Sequence, residues 1–177
     1  MVIRNDKVHL GDALMILAMM KDNDVYAGTS NCNALLMNNV KTIPIEHCIH
    51  WDVDVSDLVY VDWREYAKAF NVTWSGKPAK LIVAKDELEK CALPATGKKK
   101  VGVCCWSRDK RRCYPHWKAL VKQLSKHYET HVFGLQQLPI RQLVAEVSQM
   151  DLMVSVDTGI AHIGSSLGIP LIILEGP

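Results

Sequence analysis

Three groups of residues in this chain have types and spacings that could do chemistry. The first is Asp157-Thr158-Gly159, followed by His162, which lies between the apolar run Met153–Val156 and a stretch of small residues. The pattern reads as a strand, a tight turn and a short helix. Such a junction in an open α/β sheet collects anions, because unpaired helix N–H groups and the positive end of the helix dipole point out of the sheet edge. His162 falls four residues after Thr158, on the same helical face and leaning back toward the turn. Asp and Thr cap helices routinely and Gly tightens turns, so each residue alone has a structural explanation. Gly164, Ser165 and Ser166 would also let the helix approach the sheet closely. Together these residues predict a phosphorylated ligand with an imidazole beside it.

The second group is Trp106-Ser-Arg-Asp-Lys-Arg-Arg-Cys-Tyr-Pro-His-Trp117, directly after the apolar run Val101–Cys105. A loop leaving the carboxyl end of a parallel strand with Ser107, Arg108, Lys110, Arg111 and Arg112 could hold a diphosphate through charge-assisted hydrogen bonds. A solvated basic loop is the plain alternative. Cations interleaved with Trp106, Tyr114 and Trp117 would also suit a polynucleotide. A second anion site at the other strand end favours the small phosphorylated ligand, with no nucleic acid.

The third group is Leu10-Gly11-Asp12, at the start of a helix-forming stretch. Asp12 there could be a first-turn acid that complements the helix dipole. It could equally take a proton from an acceptor hydroxyl. Position leaves both open. Two metal-like spacings, His47-Cys-Ile-His50 and Cys113-x-x-His116, lack a second pair at zinc-finger spacing, so no metal site is expected.

The elements that must position these groups alternate along the chain. Met1–Ile3, Lys7–Leu10, Val25–Ala27, Leu58–Val61 and Ala79–Ala84 read as extended. Ala13–Lys21, Asn33–Asn39 and Trp63–Phe70 read as helices, while residues 43–60 carry little pattern. Later strands are expected at Val101–Cys105, His131–Phe133, Leu152–Val156 and Leu171–Leu174. Helices are expected at Pro115–His127, with Trp117, Leu120, Val121 and Leu124 on one face, and from Pro139 to Gln149. Strands separated by helices imply right-handed crossovers and parallel sheets.

Cys91-Ala-Leu-Pro-Ala-Thr-Gly-Lys-Lys-Lys100 breaks the pattern and is read as a linker between an α/β domain over residues 1–95 and another over 98–177. Charge divides the same way. Residues 1–97 hold 10 Lys and Arg against 13 Asp and Glu; residues 98–177 hold 11 against 6. Seven of those eleven cations lie in Lys98–Arg112, which points the second half toward an anionic partner. An apolar fraction of 49% over 177 residues suffices for a buried core. The run Ala13–Met20 fits neither a signal peptide nor a membrane span. The six cysteines form no Cys-x-x-Cys pair and read as reduced thiols of a cytosolic protein.

With these residues assembled, the chain resembles glycosyltransferase family 9, the ADP-heptose:lipopolysaccharide heptosyltransferases and their relatives of GT-B fold. Val101-Gly-Val…Ser107…Arg112-Cys-Tyr-Pro-His-Trp117-Lys-Ala-Leu looks like that family's strand, basic loop and Trp-Pro-x-x-x-Trp helix start. Met153-Val-Ser-Val-Asp-Thr-Gly-Ile-Ala-His-Ile-Gly looks like its Asp-Ser/Thr-Gly-x-x-His signature. The first half matches chiefly through Leu10-Gly11-Asp12.

The resemblance implies two Rossmann-like α/β domains facing a cleft. It implies a cytoplasmic enzyme, with peripheral contact at the inner membrane face, serving lipopolysaccharide synthesis. A heptose-like sugar would pass with inversion from a nucleotide-diphosphate donor, such as ADP-heptose, to a glycan or lipid-linked acceptor. By position, Ser107, Arg108 and Arg112 would contact the diphosphate, the Thr158 and Gly159 backbone would cradle it, and Asp157 and His162 would border the pocket. Asp12 would be the catalytic base. Neither a metal nor another cofactor is implied, since cations and helix N–H groups can stabilise the departing diphosphate.

The chain also departs from the family's pattern. Arg112 stands where the family has Lys, and Tyr114 where it has Trp. Only Leu135-Gln-Gln-Leu138 separates Gly134 from the helix near Pro139, where the family inserts a helix and strand bearing an acidic ribose contact. The first domain is shorter than the family's, which makes a non-catalytic nucleotide-sugar-binding module the alternative. An epimerase would need acids and bases on both sides of the sugar, and the first domain offers too few.

Overall fold

The structure is a computed structural model that describes residues 1–6, 10–56, 58, 63–71 and 78–175. The chain divides into two compact units, Met1–Ile82 and Val83–Pro177.

In the first unit, strand β1 (Val2–Asn5) leads to helix α1 (Leu10–Leu17), β2 (Val25–Gly28), α2 (Ser30–Leu36), β3 (Lys41–Pro44), β4 (Val53–Asp54) and α3 (Trp63–Ala69). The four strands form a parallel sheet in the order β3-β2-β1-β4. Its core buries Ile3, Ile16, Tyr26, Leu35 and Leu36 completely. Within it, the Asn5 amide donates to the Tyr26 hydroxyl at 2.9 Å. On α2, Asn33 donates to the carbonyls of Gly28 and Ile43, fixing the helix over the carboxyl ends of β2 and β3.

In the second unit, α4 (Lys85–Lys90) precedes β5 (Lys100–Cys104), α5 (Trp117–Leu124), β6 (Glu129–Val132), α6 (Ile140–Val147), β7 (Leu152–Val156), α7 (Gly159–Ser166) and β8 (Leu171–Leu174). The parallel sheet runs β6-β5-β7-β8. Trp117, Leu120, Val121 and Leu124 pack together on Val101, Val103, Cys105 and Val154, as the helical spacing of α5 predicts. On the α7 side, Gly164 approaches Met153, whose Cγ would lie 3.3 Å from a Cβ at that position. Helix α7 ends in a Schellman turn: Ile169 N–H donates to Gly164 and Gly168 N–H to Ser165, both at 3.0 Å, with Gly168 at φ +73°.

The sequence reading and the structure part company mainly in the first half. Leu10, read as extended, is the first residue of α1, which ends at Leu17 rather than Lys21. Residues 43–60 hold β4 and part of β3, short strands at the two edges of the sheet whose mixed Lys, Thr, Pro and Asp residues carry no alternating signal. The strand read at Leu58–Val61 lies outside the described residues except for Leu58, which joins no strand. Ala79–Ala84 is irregular. The unit boundary falls at Ile82–Val83, ahead of α4, which packs against α6 of the second unit. The Pro, Gly and Lys stretch after it therefore belongs to the second unit.

Candidate functional site

Both sheets have a topological switch point, and the candidate residues follow from it. In the second unit the chain leaves β5 for β6 on one side and reaches β7 on the other. The crevice at a switch point opens beyond the carboxyl ends of the two central strands. Here those strands are β5 and β7, which release the basic loop and the Asp157 turn respectively.

The basic loop is tightly built. Tyr114 N–H donates to the Cys105 carbonyl at 3.0 Å and closes its base. The Cys113 sulfur accepts from Ser107 N–H at 3.3 Å and donates to the Ser107 carbonyl at 3.5 Å. The Ser107 hydroxyl accepts from Asp109 N–H at 3.3 Å. Asp109 caps the 3-10 turn Lys110–Arg112 by accepting from Arg111 N–H at 3.0 Å. It also takes the Arg111 guanidinium, Nε at 3.1 Å and Nη2 at 2.8 Å. That guanidinium holds the Asp109 carboxyl down to about 2. Arg111 is therefore spent inside the loop, while Arg108 and Lys110 are exposed and form no ion pair among the described residues.

Arg112 reaches out of the loop. Its Nη1 donates to Asp157 Oδ2 at 2.9 Å, across 45 residues of sequence. The other Asp157 oxygen lies 3.7 Å from His162 Nε2. All three side chains are about half exposed. Thr158, extended at φ −148° and ψ 170°, is the N-cap of α7 but its side chain makes no cap hydrogen bond. Its hydroxyl lies 3.9 Å from Cys104 Sγ at the end of β5 instead. The first amides of α7 are thus left to an outside acceptor.

Arg112, Asp157, His162 and Ser165 line a cavity of about 580 Å³, together with apolar residues that include Leu171 and Ile173. Ser107, Arg108, Thr158 and Gly159 do not line it, although Thr158 and Gly159 directly follow Asp157 in the turn. Sequence reasoning missed Asp109, whose Asp-x-Arg spacing is a visible cap signal, and the apolar lining supplied by β8. Burial raises the Cys104 thiol and pushes Cys105 up to about 11, so neither is a thiolate nucleophile near neutral pH.

Asp12 lies in the first turn of α1, after the carboxyl end of β1, one of the two strands at the switch point of its own sheet. It is 9% exposed. Burial, and then the Asp12 charge beside it, push the Tyr66 hydroxyl well above the ordinary tyrosine range. That hydroxyl donates to the Leu58 carbonyl at 3.0 Å. Among the described residues no group of three His, Cys, Asp or Glu side chains could hold a metal ion, and no helix is long and apolar enough to cross a membrane.

Residues 129–177 match the model of glycosyltransferase family 9 (heptosyltransferase), a stretch that includes the Asp157–His162 turn. No curated protein matches the sequence. Among solved structures, the chain is similar to the dodecameric iron-containing heptosyltransferase TibC in complex with ADP-D-β-D-heptose. That match has a TM-score of 0.69 and 12% identity, over 99% of this chain and 58% of that one. TibC comes from enterotoxigenic E. coli. The E. coli ADP-heptose lps heptosyltransferase II gives a TM-score of 0.75 at 15% identity, over 99% and 85% of the two chains. The E. coli heptosyltransferase WaaC with ADP-2-deoxy-2-fluoro heptose gives 0.70 at 13%, over 99% and 89%. The chain spans less than three-fifths of the TibC chain. The fold is GT-B, and the resemblance to glycosyltransferase family 9 holds.

Proposed function

We propose that this protein is a glycosyltransferase that moves a heptose-like sugar from a nucleotide-diphosphate donor to a glycan or lipid-linked acceptor. The observation that carries the reading is the 2.9 Å contact between Arg112 and Asp157. It brings the cationic loop after β5 to the uncapped tip of α7, and the turn before α7 lies within residues 129–177, which match the family model. ADP-heptose is the donor of choice because heptosyltransferases of the same fold carry it or its fluoro analogue.

In this reading Arg112 and the first amides of α7 take the charge that develops on the diphosphate as the anomeric C–O bond breaks. Ser107 and Arg108 add contacts to the same phosphates, and His162 borders the sugar. The acceptor oxygen attacks the anomeric carbon from the opposite face, which inverts it, and its proton passes to Asp12. The diphosphate leaves with the bonding electron pair. Cations and amides carry the leaving-group charge, so the proposed reaction uses no resident metal or other cofactor. Work on a lipid-linked acceptor for lipopolysaccharide would place the protein at the cytoplasmic face of the membrane.

A second reading, a donor-binding module without turnover, is favoured by the near-complete burial of Asp12. Radiolabelled ADP-heptose and a lipid-linked acceptor separate the two. The enzyme reading predicts transfer that falls at least about 100-fold in Asp12→Asn, with donor affinity unchanged. Donor binding with no transfer in the wild-type protein would establish the module.

A further inference from the structure

We infer that Asp157 competes with the diphosphate of the ligand for Arg112, so that this carboxylate sets the affinity of the site by having to yield its cation. The inference rests on the anion-binding reading of the site given above. Of the cations in the basic loop, Arg111 is held at both Nε and Nη2 by Asp109. Arg112 is the one directed at the β7–α7 turn, and its partner there is a carboxylate oxygen of Asp157. A carboxylate oxygen 2.9 Å from a guanidinium nitrogen occupies the position that a phosphate oxygen would take. Ligand phosphate therefore takes that place on Nη1 only as Asp157 leaves it.

The geometry also makes the exchange reversible. The two side chains are 51% and 58% exposed, so water screens their attraction and the pair is weak. The displaced carboxylate has a destination, because its second oxygen already faces His162 at 3.7 Å. A small side-chain rotation would trade the guanidinium for the imidazole without moving the backbone of the turn.

The experiment measures binding of inorganic pyrophosphate, and separately of ADP, by calorimetry. It compares the wild-type protein with Asp157→Asn, Asp157→Ala, Arg112→Ala and the Arg112→Ala, Asp157→Ala double variant. Glu175→Gln is the charge control, since Glu175 lines the same cavity and makes no ion pair among the described residues. Thermal melts confirm that each variant is folded. Both Asp157 variants are expected to tighten pyrophosphate binding by about two- to fivefold, the scale of an exposed ion pair that no longer has to be broken. Glu175→Gln should give a smaller gain, and the Asp157 gain should vanish once Arg112 is Ala.

A gain from Glu175→Gln as large as that from Asp157→Ala would overturn the inference in favour of general charge. So would a gain that survives in the Arg112→Ala background, or weaker binding by both Asp157 variants. Each of those results leaves the anion site itself standing if Arg112→Ala still loses binding. Equal affinities in the wild-type and Arg112→Ala proteins would instead sink the anion-site reading, and the competition with it.

Discussion

Arg141 on α6 grips both carboxylate oxygens of Glu87 on α4, Nε to Oε1 at 2.7 Å and Nη2 to Oε2 at 2.5 Å. The pair is mostly buried, at 12% and 16% exposure. Glu87 also accepts from Ala84 N–H at 2.8 Å, so it caps α4 while Arg141 anchors it. The segment that follows is fastened too, with Gln149 accepting from Leu93 N–H and donating to the Cys91 carbonyl, both at 2.9 Å. These contacts make α4 and the Pro/Gly stretch after it part of the second unit.

Arg141→Ala is expected to destabilise the second unit by about 2 kcal/mol, the scale of a charged hydrogen-bonded pair deprived of one partner. The guanidinium holds the Glu87 carboxyl below the ordinary glutamate range. Its contribution is therefore complete above the unfolded-state value and is lost as pH falls through the folded one. Denaturant melts should show the wild-type advantage over Glu87→Gln at neutral pH and its shrinkage in acid. A constant difference across that range would show that Glu87 does not act through its charge.

Gly168 lies in the left-handed region at φ +73° and closes α7 ahead of β8. Gly168→Ala should cost roughly 1 kcal/mol, because a Cβ there crowds the following carbonyl. Equilibrium unfolding would register it. An unchanged midpoint would mean that the helix ends in some other conformation in solution.

Gly102, in the middle of β5, faces the side chains of Met153, Phe133 and Met150, which fill the space a Cβ would need. Gly102→Val should destabilise by about 1–3 kcal/mol through overpacking. Ala should cost less, since methionine ends can shift.

The second unit was readable because each layer repeats one signal. β5 and β7 are nearly continuous apolar runs, and α5 presents Trp117, Leu120, Val121 and Leu124 at helical spacing. In the first unit, β3 (Lys41-Thr-Ile-Pro44) and β4 (Val53-Asp54) are held by register with their neighbours rather than by any pattern of their own. Asp157 and Arg112 are each candidates by residue type and motif, but their pairing spans 45 positions and follows only from the β6-β5-β7-β8 strand order. Thr158 looked like a routine cap by type. Only its geometry, with the hydroxyl near Cys104 and no bond to the helix amides, shows the tip of α7 to be open.

Arg112→Ala should weaken binding of a nucleotide-diphosphate sugar by about 10- to 100-fold, the range for losing a charge-assisted contact to phosphate. It should also flatten the salt dependence of binding, which Arg108→Ala, removing only a peripheral phosphate contact from outside the cavity lining, should alter less. Equal losses in the two variants would point to a diffuse basic surface.

The most direct measurement is a backbone amide NMR titration of the ¹⁵N-labelled protein with ADP-heptose. The largest shifts should fall together on Thr158, Gly159 and Ile160 and on the Ser107–Arg112 loop, saturating with a single dissociation constant. Saturation of the protein that leaves both segments unmoved, or moves one without the other, would contradict a common diphosphate site at the ends of β5 and β7.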